Sequence, residues 1–171
     1  MRPLSPELEY VRRETERATR EASAEALLHA PNGKWSPAQV LEHLMLSYTA
    51  TTKGLLRATQ SGLIEPGTRT LKHRAKCAYV LGLGRFPAGV EAPKHTEPGK
   101  GLGEEPLRRF NDALVAMDST LVDVERRFGK GVLILMHPVL GPLTAQQWRR
   151  FHQVHGRHHL KQIAARLGGR A

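Results

Sequence analysis

The feature that most constrains the fold is an apolar stripe near the middle of the chain. Its members follow one another at alternating spacings of three and four residues, and they are Leu107, Phe110, Leu114, Met117, Leu121, Val124 and Phe128. This alternation is typical of the seam that a helix presents to its neighbours in a bundle. The stripe predicts a helix from Glu104 to Phe128, which ends where Gly129 and Gly131 follow.

Two further helices are marked by capping boxes, in which the side chains of the N-cap and N3 residues each bind the other's backbone N–H group. The two pairs are Ser36 with Gln39 and Thr144 with Gln147. The helix after Ser36 is predicted to end near Gly62, and the helix after Thr144 at Gly168-Gly169. Another helix is predicted from Ser5 to His29, with a proline at its first position.

Four long helices without an internal repeat predict an all-α, four-helix-bundle domain that spans residues 1–171. Between the second and third helices lies a long excursion, residues 62–103, which contains one short helix near Leu71–Leu83 and a loosely ordered stretch at Val90–Gly103. The apolar segment Gly131–Leu140 is interpreted as a buried connector, because a single strand would have no partner.

Composition limits the function classes that the chain can serve. A single cysteine, Cys77, excludes a disulfide framework and a Cys-rich metal site, and it is expected to be a small buried side chain. No secretory signal and no membrane span are recognised, so a cytoplasmic protein is expected. The sequence also contains no phosphate-binding loop and no GxSxG nucleophile motif.

The number of histidines, nine, is the unusual feature of the composition, and four of them lie in residues 144–171. His155 and His159 are four residues apart and continue the buried face of the last helix, so both imidazoles can reach one metal ion. His43, on the core face of the second helix, is the candidate for a third ligand. The alternative is that these are buried histidines satisfied by backbone carbonyls. His158 and His152 are expected nearer the surface, and His152 and His137 are candidates for supporting or proton-transfer roles.

Two segments carry a resemblance to a known family. Residues 35–43 read WSPAQVLEH, and residues 137–148 read HPVLGPLTAQQW before HGRHHLKQI at 155–163. The sequence resembles the DinB-like (DinB/YfiT) superfamily of bacterial four-helix-bundle metalloenzymes, in the opening of helix two and the ending of helix four. The resemblance implies that His43, His155 and His159 are the metal ligands, and it does not explain residues 62–103.

A three-histidine site implies a divalent metal with open coordination positions, with zinc or nickel favoured over iron or manganese. The resemblance implies a thiol transferase or a hydrolase. Residues 144–171 contain six basic side chains and no carboxylate, although solvated helix faces account for most of these charges. A cationic surround favours a small anionic or thiol-containing substrate, such as a low-molecular-weight thiol. A homodimer that pairs through a helix face is expected.

Two other readings remain open at this point. The net charge of +10 and a pI near 10.4 suggest a nucleic-acid-binding module, with contacts from the last helix and from Arg69, Lys72, His73, Arg74 and Lys76. Against it, aromatic residues make up only 5% of the chain, too few for a base-stacking platform. The other reading is a non-catalytic bundle with a vestigial site.

Overall fold

A computed structural model of the chain describes residues 3–31, 33–60, 67–87, 89, 91–99 and 105–168. Its helices are α1 (Pro6–Thr19), α2 (Ala24–Leu28), α3 (Pro37–Gln60), α4 (Leu71–Cys77), α5 (Pro106–Phe128) and α6 (Ala145–Arg166). A π-helical turn, Ala78–Gly82, continues α4, and a 3-10 turn covers Lys94–Thr96. The two strands are β1 (Leu135–His137) and β2 (Gly141–Leu143).

The four long helices α1, α3, α5 and α6 form the bundle, with α3 against α5 and α1 against α6. The predicted seam of α5 is confirmed, since Phe110, Leu114 and Met117 are fully buried against the other helices. The all-α bundle expected from the sequence is therefore confirmed. Among the described residues, no helix combines the length and the apolarity needed to cross a bilayer.

Both predicted capping boxes are present. The Ser36 N–H donates to Gln39 Oε1 at 2.9 Å while the Gln39 N–H donates to Ser36 Oγ at 3.2 Å. The same exchange joins Thr144 and Gln147, at 3.1 and 3.2 Å. These boxes fix the first turns of α3 and α6, the two helices that carry the candidate metal ligands. The predicted boundaries Gly62, Gly103, Glu104 and Gly169 lie outside the described residues.

The single helix predicted from Ser5 to His29 is wrong. α1 ends at Thr19, and α2 begins separately after Ser23, whose hydroxyl accepts the Ala26 N–H at 3.1 Å. A serine that caps its own helix competes with continuation of the previous one. The buried face ends with Thr19, and none of the residues of α2 is buried, so packing does not favour one long helix.

The reading of Gly131–Leu140 as a connector without a strand partner is also wrong. β1 pairs antiparallel with β2, which follows three residues later, with Leu135 opposite Leu143 and His137 opposite Gly141. Gly141 has a φ of 75°, in the left-handed region, and a Cβ at this position would lie 2.3 Å from the His73 ring. Only glycine permits this close approach between the hairpin and α4.

Part of the excursion is more ordered than expected. α4 and its π-helical continuation confirm the short helix predicted at Leu71–Leu83, and Cys77 is buried as expected. Residues 91–99 fall in the stretch predicted to be loose, but they pack on α3, where Gln39 Nε2 donates to the Gly99 carbonyl at 2.8 Å. The Gly99 N–H in turn donates to Glu42 Oε2 at 3.1 Å.

A buried ion network joins α5 and α6. Solvated helix faces were expected to account for most of the basic residues of α6, but Arg149 is buried and donates to Asp118 Oδ1 at 3.0 Å and to Glu125 Oε2 at 2.8 Å. Asp118 Oδ2 also accepts the Ser5 N–H at 2.8 Å, at the start of α1. One carboxylate therefore ties three of the four long helices together.

Candidate metal centre

Three histidines converge in the core of the bundle. His43 comes from α3, and His155 and His159 come from successive turns of α6. The Nε2 atom of His155 lies 3.1 Å from His43 Nε2 and 3.0 Å from His159 Nε2, and the candidate ligand atoms all lie within 4.8 Å of one another. Each side chain is at most 6% exposed.

The outer nitrogens of two of these rings are held by acceptors. His43 Nδ1–H donates to the Thr96 carbonyl at 2.8 Å, and His159 Nδ1–H donates to Gln162 Oε1 at 2.9 Å. Gln162 is oriented by its amide nitrogen, which lies 3.1 Å from His158 Nε2. A proton on Nδ1 leaves the Nε2 lone pair of each ring directed at the common centre, which is how metal-ligating histidines are held.

All three imidazoles are favoured in the neutral form. Burial lowers the pKa of His43 and of His155, the latter well below its usual value, and it lowers the pKa of His159 to about 3. The neighbouring imidazoles lower the pKa of His155 further, because two positive charges at this distance repel. A neutral imidazole with an available lone pair is the form that binds a metal ion.

The donor set fits a divalent cation. Three imidazole nitrogens on a tetrahedral zinc ion, with bonds of about 2.0–2.1 Å, would lie about 3.3 Å from one another, close to the separations from His155. A single proton could bridge only one of the two short contacts that His155 makes. His155 Nδ1 is buried and has no hydrogen-bond partner among the described residues. Three ligands leave at least one coordination position for a substrate or water.

The centre opens into a cavity of about 660 Å³. Aromatic rings form much of its wall and pack directly on the histidines. The ring centroids of Trp35 and His43 are 5.1 Å apart. The ring centroid of His155 lies 5.2 Å from that of Phe86 and 5.5 Å from that of Phe151, which stacks on it. These rings pack against the imidazoles and give the cavity an apolar wall. Phe86 belongs to the excursion, which therefore contributes to the site.

The two supporting histidines named from the sequence also line this cavity. His152 was expected nearer the surface, but it is 1% exposed, with its Nε2 3.0 Å from Thr51 Oγ1. His137 Nδ1 accepts two backbone N–H groups, from Val139 and Leu140, each at 3.1 Å. The proton of neutral His137 is therefore on Nε2. Burial lowers the pKa of His152 to about 3 and that of His137 to about 4.

The role of Thr96 was not predicted from the sequence, and the predicted position of His158 is wrong. Thr96 acts through its carbonyl, which any residue could supply, and it lies in a segment with no helical periodicity. His158 was expected on the side of α6 opposite the site, but it is half-buried, lines the cavity and contacts both Gln162 and Phe86. Its position, three residues after His155, was the available sequence signal.

Of the residues considered for nucleic-acid contacts, two make contacts within the protein and three are exposed. Arg69 Nη2 donates to the Pro142 carbonyl at 2.6 Å and to Gln147 Oε1 at 2.7 Å, so it anchors the hairpin to the start of α6. The His73 ring packs against the glycine of the same hairpin. The remaining three side chains are exposed, and they are Lys72, Arg74 and Lys76.

A family model described as a protein of unknown function, DUF1569, matches residues 7–166. The match begins in α1 and ends at the last residue of α6, so it includes the three converging histidines and the hairpin between α5 and α6. No curated protein and no solved structure matches the chain. Because the match extends over nearly the whole chain, the protein belongs to the DUF1569 family.

Proposed function

We propose that the protein is a metal-dependent enzyme in which His43, His155 and His159 hold a divalent ion. The observation that carries the proposal is the convergence of three neutral, buried imidazoles, with Nε2 atoms 3.0 and 3.1 Å apart, at the wall of a cavity. A histidine kept only for packing would have its nitrogens satisfied by backbone or solvent. Here the Nε2 atoms face one another.

The proposal includes membership of the DinB-like superfamily. Its support is the resemblance of residues 35–43 and 155–163, which contain all three histidines and the Gln162 that holds one of them. The arrangement of four long helices agrees with that assignment. The superfamily also supplies the reaction classes that we propose, a thiol transferase or a hydrolase.

Zinc or nickel is the proposed metal, with iron and manganese as alternatives, since imidazole ligation suits each of them. Bound at this position, such an ion would lower the pKa of a coordinated water or thiol and polarise a carbonyl group. Thr96 and Gln162 orient two of the ligands, and aromatic rings pack directly on the histidines. His137, whose Nε2 carries the proton and which lines the cavity, is the group to which we assign a hydrogen bond to the bound substrate.

The proposed substrate is a small anionic or thiol-containing molecule. Among the described residues that line the cavity, Lys34 and Arg166 are cationic and Glu91 is the one carboxylate. Together with a divalent ion, this lining makes the cavity electropositive and attracts anions. A volume of about 660 Å³ suits a small molecule and is too small for a macromolecule.

The test is an activity screen of protein loaded with zinc or nickel. One arm measures the conjugation of cysteine, glutathione or coenzyme A to 1-chloro-2,4-dinitrobenzene, and the other measures hydrolysis of 4-nitrophenyl acetate. We expect turnover in one arm that is lost in His155→Ala and after chelation, and retained in His29→Ala, which changes an exposed histidine. Metal binding without turnover in either arm would favour a non-catalytic bundle and contradict the enzymatic assignment.

A further inference from the structure

Arg166 lines the cavity. It is the last residue of α6, four residues after Gln162 and seven after His159, so it shares their helical face. All three residues line the same cavity.

Two of the three nitrogens of the Arg166 guanidinium are without a partner in the part of the chain that the structure describes. Its Nε and Nη1 atoms are buried and have no hydrogen-bond partner among the described residues. Arg149, on the same helix, has its Nε and Nη1 bound by two carboxylates, and only its Nη2 is buried without a partner among the described residues. Arg150 is likewise engaged, through the Leu81 carbonyl and Gln153.

Leaving buried charged donors unpaired is costly, and folded proteins rarely do so. The side chain stays charged nonetheless, because an arginine is not deprotonated in a protein. A cationic group with unused donors in the wall of a ligand-sized cavity is a group available to an anionic ligand.

We propose that Arg166 binds the carboxylate of the ligand, so that the substrate class is a small monocarboxylic acid with an apolar body. This inference rests on the proposed function, since the far end of the same molecule would reach the three histidines. The guanidinium matches a carboxylate in shape and charge. The apolar body would lie against the aromatic rings of the cavity, among them Trp35, Phe86 and Phe151.

The test compares an acid with its neutral amide, 3-phenylpropanoate and 3-phenylpropanamide, by quenching of the tryptophan fluorescence of the intact protein. Both tryptophans, Trp35 and Trp148, line the cavity. Wild type is expected to bind the acid more tightly than the amide. Arg166→Gln is expected to weaken acid binding by roughly tenfold or more and to leave amide binding unchanged, since a charge-assisted hydrogen bond is lost.

Two variants serve as controls. Arg157→Gln removes the same charge from an exposed position of α6 that does not line this cavity, and it should leave the preference for the acid intact. Arg166→Lys keeps the charge but loses the planar fork, and it should show an intermediate affinity. Thermal unfolding of each variant confirms that it is folded.

The measurement is made with zinc-loaded and zinc-stripped protein, with zinc content determined on the same samples. In zinc-stripped protein the ion cannot coordinate the acid. Weaker binding of the acid by Arg166→Gln in both the zinc-loaded and the zinc-stripped protein therefore supports the inference. Equal binding of acid and amide by wild type, or an unchanged preference in Arg166→Gln, overturns it. A wild type that holds no zinc contradicts the proposed function alone, because the stripped arm still tests Arg166.

Discussion

The Nε2 atom of His43 lies 3.1 Å from the Nε2 atom of His155, although 112 positions separate the two residues in the sequence. Each histidine comes from a helix that begins with a capping box, so the starts of α3 and α6 are both fixed locally. The bundle then brings the two rings together. No other group of three metal-ligand side chains within ligating distance is found among the described residues.

Gln162 is predicted to control metal affinity without touching the metal. Its Oε1 accepts a hydrogen bond from His159 Nδ1–H and thereby keeps the lone pair on Nε2. Gln162→Leu removes this acceptor and should weaken zinc binding by roughly 10- to 100-fold, measured by competition with a chromogenic chelator. Gln162→Glu retains an acceptor at the same position and should bind zinc as tightly as wild type or more tightly. Equal affinity in the leucine variant would contradict the role.

Metal-free protein is predicted to lose stability as the pH falls below 6.5. Burial lowers the pKa of His152 to about 3 and of His137 to about 4, from a usual value of 6.5. Between pH 6.5 and these lowered pKa values, the unfolded chain binds more protons than the native state. The free energy of unfolding therefore decreases toward acid pH. Each histidine contributes up to about 1.4 kcal/mol per pH unit, and its contribution is fully present above pH 6.5.

Urea unfolding of zinc-stripped protein between pH 7.5 and pH 5 measures this dependence. His152→Gln should reduce the slope of stability against pH, because one of the groups that differ between the two states is removed. His29→Gln, at an exposed position, should leave the slope unchanged. The same slope in wild type and His152→Gln would show that His152 is not held neutral by the fold.

The Asp118–Arg149 pair is predicted to be important for stability as a unit. Asp118→Ala leaves Arg149 buried with one carboxylate fewer, and it also removes the acceptor of the Ser5 N–H. The expected loss is about 3–5 kcal/mol in the free energy of unfolding, from denaturant titration. The double variant Asp118→Leu, Arg149→Met should regain part of that loss, since neither charge of the pair stays buried, while Glu125 loses its partner and the Ser5 N–H its acceptor. If the free energy of unfolding of Asp118→Ala equals that of wild type within experimental error, the assignment is contradicted.

Gly156 is predicted to set the distance between α1 and α6. A Cβ at this position would lie 2.8 Å from Val11 Cγ1, and Val11 is fully buried and β-branched, so it cannot move aside easily. Gly156→Ala should therefore destabilise the protein by about 1–3 kcal/mol, despite the higher helix propensity of alanine. Gly82→Ala is the matched control, because a Cβ at Gly82 would have no described neighbour within 4 Å. Comparable melting temperatures for both variants would count against the close contact.

The parts of the fold that local rules determine were predictable. The seam of α5 and the capping boxes at Ser36 and Thr144 are confirmed, since each depends on residues within one or two helical turns. The hairpin was not predictable in this way. β2 reads Gly-Pro-Leu, in which glycine and proline have little strand propensity, and its pairing depends on tertiary packing of the Gly141 backbone against His73.

The candidate site likewise contains residues that could be predicted from the sequence and residues that could not. The helical spacing of His155 and His159 and the core-facing position of His43 are visible in the sequence. The Thr96 carbonyl and the Phe86 ring are not, because they come from a segment without periodicity and act through backbone position or packing. The burial of His152 was missed because α6 is covered on most of its sides, by α1 and the hairpin as well as by α3.

The central claim is most directly tested by the metal content of the protein at equilibrium. Wild type, His43→Ala, His155→Ala, His159→Ala and the exposed control His29→Ala are incubated with zinc or nickel, desalted and analysed by plasma mass spectrometry. Wild type and His29→Ala are predicted to retain one ion per chain, and each of the other three variants is predicted to lose it. One ion per chain retained in His155→Ala, whose Nε2 lies between the other two, would contradict the three-histidine centre.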